Sequence, residues 1–123
     1  MQKLIKFLIA SLVAVFAVSA LSACSSNASL DMTSVAAVID VRTADEFATG
    51  HLDGALNFDI QGSEFSSQID TLDKAANYVI YCRSGNRAGQ AVSYMQENGF
   101  TGTLTNAGSV ADASAATSIA IVQ

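Results

Sequence analysis

Residues 78–99, Tyr78-Val-Ile-Tyr-Cys-Arg-Ser-Gly-Asn-Arg87 followed by Ala88-Gly-Gln-Ala-Val-Ser-Tyr-Met-Gln-Glu-Asn98 and Gly99, decide the fold. Tyr78 to Tyr81 is a β-favouring apolar run, read as a central strand that leads straight into Cys82. Gly85 and Asn86 then mark a turn. From Arg87 to Asn98, Ala88, Ala91, Val92 and Met95 recur at helical spacing, and Gly99 closes the helix. Strand, tight loop and helix in that order are half of a parallel α/β unit. The same alternation extends outward. Val35 to Val41 is almost continuously apolar, as a strand buried on both faces must be. Thr43 and Glu46 form a capping box for a short helix ending near Gly50. Ala55 to Phe58 is a short strand. Ser63 to Leu72 places Phe65, Ile69 and Leu72 on one helical face, and Thr101 to Thr105 is a further strand after Tyr78–Tyr81. The expectation is a single α/β domain over residues 35–123 with a mostly parallel sheet flanked by helices. No repeat is present, and Ala107 to Gln123 has no pattern that assigns it an element.

The apolar half of the composition is unevenly spread. Residues 7–23 carry no charge and follow Lys3 and Lys6. This pattern reads as a secretory signal over residues 1–23, too short to span ~30 Å of hydrocarbon comfortably. Its end, Leu21-Ser22-Ala23-Cys24, resembles a bacterial lipobox, so Cys24 is the expected lipidation site and membrane anchor. Residues 24–34 are small and polar, as a tether would be. The expected location is outside the inner membrane, lipid-anchored and facing the periplasm. Ser25, in place of an Asp that would resemble a retention signal, favours the outer membrane.

Beyond residue 23 the chain holds four cations, Arg42, Lys74, Arg83 and Arg87, against all eleven acids, a net charge of −7. That balance excludes a nucleic-acid partner and a basic membrane patch. No oligomeric state is encoded, and a monomer is the default. With Cys24 acylated, Cys82 is the remaining thiol, so no internal disulfide forms. Cys82 lies where ligand sites of parallel sheets lie, at the carboxyl end of a strand ahead of a helix N-terminus. A loop curled around the sulfur turns backbone N–H groups inward, and Arg83 and Arg87 add charge. Both features favour the thiolate and an anion bound beside it.

Cys82-Arg83-Ser84-Gly85-Asn86-Arg87 resembles the active-site loop of rhodanese-type sulfurtransferases. Asp40-Val-Arg42, Glu46-Phe47 and Gly50-His51-Leu52-Asp53-Gly54-Ala55 resemble the family's upstream signature in order and spacing, and the likeness covers roughly residues 35–106. It implies about five parallel strands and sulfane-sulfur transfer through a Cys82 persulfide, with no metal or organic cofactor. The partners it implies are a small anionic donor such as thiosulfate and a thiol or cyanide acceptor. Arg83, Ser84, Gly85, Asn86 and Arg87 would bind substrate, with Arg87 alternatively pairing with an acid such as Glu46. Asp40, Arg42, Glu46 and His51 are read as structural support, because a preformed thiolate needs no general base.

Three departures stand out. Asp53 occupies the family's usual Pro position. Asn106-Ala-Gly-Ser-Val110 replaces a Gly-Gly segment followed by Trp, and the segment before Val35 is short. Two other readings compete. A sulfur-carrying or partner-binding module would keep the thiol without turnover. A phosphatase or arsenate reductase would need Cys-x5-Arg, but Ala88 stands at that position and the loop is Cys-x4-Arg.

Overall fold

The computed structural model describes residues 29–123. The signal segment and Cys24 lie outside them. Four parallel strands form the sheet in the order β3-β1-β4-β5, with β1 Val35–Asp40, β3 Leu56–Asn57, β4 Asn77–Tyr81 and β5 Leu104–Asn106. β1 and β4 occupy the centre, in register from Val38 opposite Val79 to Asp40 opposite Tyr81. The helices are α1 Ala44–Thr49, α2 Phe65–Asp70, α3 Asn86–Glu97 and α4 Val110–Thr117. Among the described residues no helix is long and apolar enough to cross a membrane.

The period-2 geometry of β4 divides the core into two layers. Tyr78, Ile80 and Cys82 face one side, joining Ile39, Val41, Phe65, Ile69 and the α3 residues Ala88, Ala91 and Met95. Val79 and Tyr81 face the other, with Val38, Leu52 and the α4 residue Ala113. Both faces of the central strands are therefore covered, which is why the sequence of β1 and β4 lacks polar alternation. α3 presents Ala88 and Ala91, followed by Met95, to the sheet, so its first turns pack closely beside the loop that precedes it.

The sheet has four strands, one fewer than the resemblance implied. Ahead of β1 the chain makes a 3-10 turn, Met32–Ser34, in place of a strand. Asp31 accepts a hydrogen bond from Thr33 N at 3.0 Å, and that local bond favours a turn over extended pairing. The polar stretch read as tether also joins the domain before its end: Leu30 N donates to Ala116 O at 2.8 Å, and Leu30 and Met32 pack on the second core layer.

The C-terminal tail, unassigned by pattern, folds as α4 and β6 Ile121–Val122. β6 pairs antiparallel with β2 His51–Leu52 in a separate two-stranded ribbon. Asp53 N donates to Ala120 O at 2.9 Å and extends this ribbon by one bond. A proline there has no N–H to give, so the Asp53 departure matches the way this tail docks.

Candidate active site

β4 delivers Cys82 to the carboxyl end of the sheet, and α3 begins four residues later at Asn86. Between them the loop bends back on the sulfur. Gly85 adopts φ +96°, a left-handed conformation that L side chains resist, and its N–H donates to Cys82 Sγ at 2.9 Å. Cys82 itself is wholly buried beneath the exposed Arg83 and Ser84. Burial pushes the Cys82 thiol up. The backbone N–H groups of Ala88, Ser84, Gly85 and Arg87 outweigh that effect and hold it below its ordinary value. Each hydrogen bond to a charged group contributes roughly 1.5–3 kcal/mol, so a few convergent amides suffice to offset the desolvation of one sulfur. The backbone amides are the main source of this effect, and the Arg87 charge, which interacts with Cys82, acts in the same direction.

Arg87 is already engaged. Its Nη1 and Nη2 donate to the Glu46 carboxylate at 2.8 and 3.0 Å, a bidentate pair. Glu46 also closes the α1 capping box, accepting from Thr43 N at 3.0 Å while donating its own N–H to Thr43 Oγ1 at 3.3 Å. The Arg87 hydrogen bonds, opposed by burial and helped by Thr43, hold the Glu46 carboxyl down at about 2. One carboxylate thus locks the start of α1 to the first turn of α3. Of the two loop arginines, Arg83 is the one left exposed and outside any ion pair.

The remaining signature residues sit one layer away. Asp40 and Arg42 form a buried pair at 2.7 Å on the Tyr81 side of the sheet, where the guanidinium lies 5.9 Å from the Tyr81 ring centroid. Arg42 Nη2 donates to Gly50 O at 2.7 Å, and Asn57 Nδ2 donates to the carbonyls of Asp40 and Arg42 at 3.2 and 2.9 Å. These bonds tie the ends of β1 and β3 to the turn after α1. His51 stacks on Phe47 with ring centroids 3.6 Å apart, and its Nδ1 lies 2.8 Å from Phe47 O. The structure therefore brings Glu46 to the Cys82 loop and leaves Asp40, Arg42 and His51 among the supports of neighbouring turns.

A second turn touches the loop, within the Asn106–Val110 segment that departs from the family's pattern in sequence and to which sequence reasoning assigned no role. Cys82 N donates to Gly108 O at 3.0 Å, and Asn106 Nδ2 donates to Gly85 O at 2.9 Å. Gly108, at φ +79°, approaches so closely that a Cβ on Gly85 would stand 3.4 Å from its Cα. The signal was the Asn-x-Gly turn chemistry of Asn106 to Gly108, legible only as a loop marker without knowledge of what the turn meets. A groove of about 520 Å³ runs from Gly85 and Asn86 along the outer face of α3 past Gly89 and Ser93.

A sheet of this order with a buried, amide-ringed cysteine at the end of its second central strand defines a thiolate-based α/β domain. The rhodanese-like domain family model matches residues 25–116, and the chain belongs to that family. It is 34% identical over 76 residues to the thiosulfate sulfurtransferase PspE of Escherichia coli, covering 60% of this chain and 70% of that one. It is 38% identical over 63 residues to the putative sulfurtransferase YtwF of Bacillus subtilis, covering 51% of this chain and 59% of that protein's length. Among solved structures, a rhodanese with anions from E. coli superposes with a TM-score of 0.57 at 27% identity, covering 71% of this chain and 96% of that one.

Proposed function

We propose that the protein is a sulfurtransferase that carries sulfane sulfur on Cys82. The observation that carries this reading is the Gly85 N–H at 2.9 Å from Sγ within a loop that lowers the thiol. The Cys82 thiolate attacks the outer sulfur of a donor such as thiosulfate. The new S–S bond forms as the sulfur–sulfur bond of the donor breaks, and sulfite leaves with the electron pair. The persulfide then surrenders its outer sulfur to cyanide or a thiolate, and the Cys82 thiolate is regenerated. Amides that stabilise the thiolate also stabilise the terminal persulfide anion, which occupies the same pole of the loop. Arg83, exposed and free of any ion pair, is assigned in this reading to the sulfonate end of the donor, with Ser84, Gly85 and Asn86 assigned to the approach through their backbone. Complete burial of Cys82 favours a donor of a few atoms.

A phosphoryl-transfer reading has no support in this geometry, since Ala88, at the Cys-x5-Arg position, is buried in the core. The proposal extends to location: an exported protein anchored through Cys24, its reaction carried out in the periplasm. Treatment of the full chain with thiosulfate should add one sulfur atom to the peptide containing Cys82, read by mass spectrometry and removable by cyanide or dithiothreitol. Cys82→Ser should show none. Wild type that gains no removable sulfur from thiosulfate or from a polysulfide refutes the reading. Cys24→Ser should lose fatty-acid labelling and leave the membrane fraction.

A further inference from the structure

We propose that Asn106 is a positioning residue that holds the 82–87 loop in its amide-inward conformation around the sulfur. This rests on the reading of Cys82 as the nucleophile. The turn from Asn106 to Gly108 grips both shoulders of the loop. On one side Gly108 O accepts from Cys82 N at 3.0 Å. On the other, Asn106 Nδ2 donates to Gly85 O at 2.9 Å. The Asn106 side chain is itself oriented, because its Oδ1 accepts from Gly108 N at 3.0 Å. Both ends of one amide are thus used, one to shape its own turn and one to hold the loop.

Gly85 is the residue where this grip matters. It stands at the N-cap of α3 with φ +96°, and its carbonyl accepts from both Asn106 Nδ2 and Gly89 N, the latter at 2.9 Å. Its N–H points at Cys82 Sγ. Glycine has no Cβ to restrict rotation, and a helix N-terminus frays readily, so the helical bond alone leaves Gly85 free to turn. The carbonyl belongs to the Gly85–Asn86 peptide and the N–H to the Ser84–Gly85 peptide, so the Asn106 bond pins one side of the Gly85 Cα and leaves the N–H on the other side less freedom to turn off the sulfur. The Glu46–Arg87 pair cannot prevent that turn, because it holds the loop two residues further on, inside α3. Asn106 is exposed, so its loss removes little packing.

The test uses the full chain carrying Asn106→Leu, close to Asn in shape but without the amide, and in parallel Asn106→Ala. The rate of alkylation of the Cys82 peptide by iodoacetamide is followed against pH by mass spectrometry. The midpoint should rise by about half to one unit, a fraction of what one hydrogen bond to a charged group commands. The pH profile of sulfur uptake from thiosulfate should move by the same amount, while the melting temperature stays near that of wild type. A folded variant with an unmoved midpoint overturns the proposal. Wild type offers a second reading by NMR: the Asn106 side-chain NH₂ signals should titrate with the Cys82 midpoint, and signals blind to that ionisation also overturn it, even where neither variant folds. A wild type that takes up no sulfur, alongside a midpoint that still moves in Asn106→Leu, refutes the sulfurtransferase reading and leaves the role of Asn106 intact.

Discussion

The Glu46 carboxylate is shared between a helix cap and an arginine of the Cys82 loop, and its ionisation controls both. Its pKa falls from the ordinary 4.5 to about 2 in the folded chain. A depressed carboxyl contributes stability that is complete above pH 4.5 and is lost as pH falls toward 2. Because 30% of the Glu46 side chain is exposed, solvent screening reduces the contribution to about 1–2 kcal/mol. Glu46→Gln keeps a capping group but no charge. Denaturant titrations at pH 7 should show it less stable by that amount, and the gap to wild type should close between pH 4.5 and 2; a constant gap across that window contradicts the assignment. Asp40 and Arg42 behave differently, since neither has solvent to fall back on. Arg42→Met leaves a buried carboxylate unpaired and should cost about 3–5 kcal/mol, seen as a large drop in denaturation midpoint.

At the scale of elements, most of the frame was legible because its signals are local. The apolar run from Val35, the Thr43–Glu46 capping box and the Ala88–Met95 stripe each declare an element within a dozen residues, and β1, α1 and α3 lie where these place them, within a residue or so at their ends. The Cys82 loop was legible for the same reason. β6 was not, since two residues pair with β2 some 70 positions earlier in the chain and carry no pattern of their own. α4 was missed because Ala and Ser fill it without an apolar stripe, although Ser109 and Asp112 form its capping box. The fate of Asp53 follows from that ribbon. Asp53→Pro removes the N–H that Ala120 O accepts, a loss of about 1 kcal/mol. Amide exchange at His51 and Val122, the hydrogen-bonded pair of the ribbon, should speed up while α3 stays protected; unchanged exchange there would show that the bond does not hold the tail.

Charge acts on the whole molecule. The described residues carry Arg42, Lys74, Arg83 and Arg87 against eleven acids, a net of −7. Arg42 and Arg87 are consumed in ion pairs, and Lys74 donates to Asn98 O, at the turn that follows α3 rather than the one that precedes it. On the function proposed above, a thiosulfate dianion would therefore approach a negative body through a mouth whose one free cation among the described residues is Arg83. Coulomb repulsion of this kind is long-ranged at low salt, where the screening length is about 30 Å at 0.01 M, and fades once it shrinks to about 8 Å near 0.15 M. Contact with Arg83 is short-ranged and survives better. The rate of Cys82 persulfide formation from thiosulfate should thus rise several-fold, roughly, across that salt range, the sign expected of like charges. A neutral organic polysulfide should load at a rate nearly independent of salt. Arg83→Ala should be slower with thiosulfate and steeper in its salt dependence, and unchanged with the neutral donor. A thiosulfate rate that falls with added salt would mean that attraction governs the encounter, and would require a cationic surface near Cys82 larger than Arg83 alone.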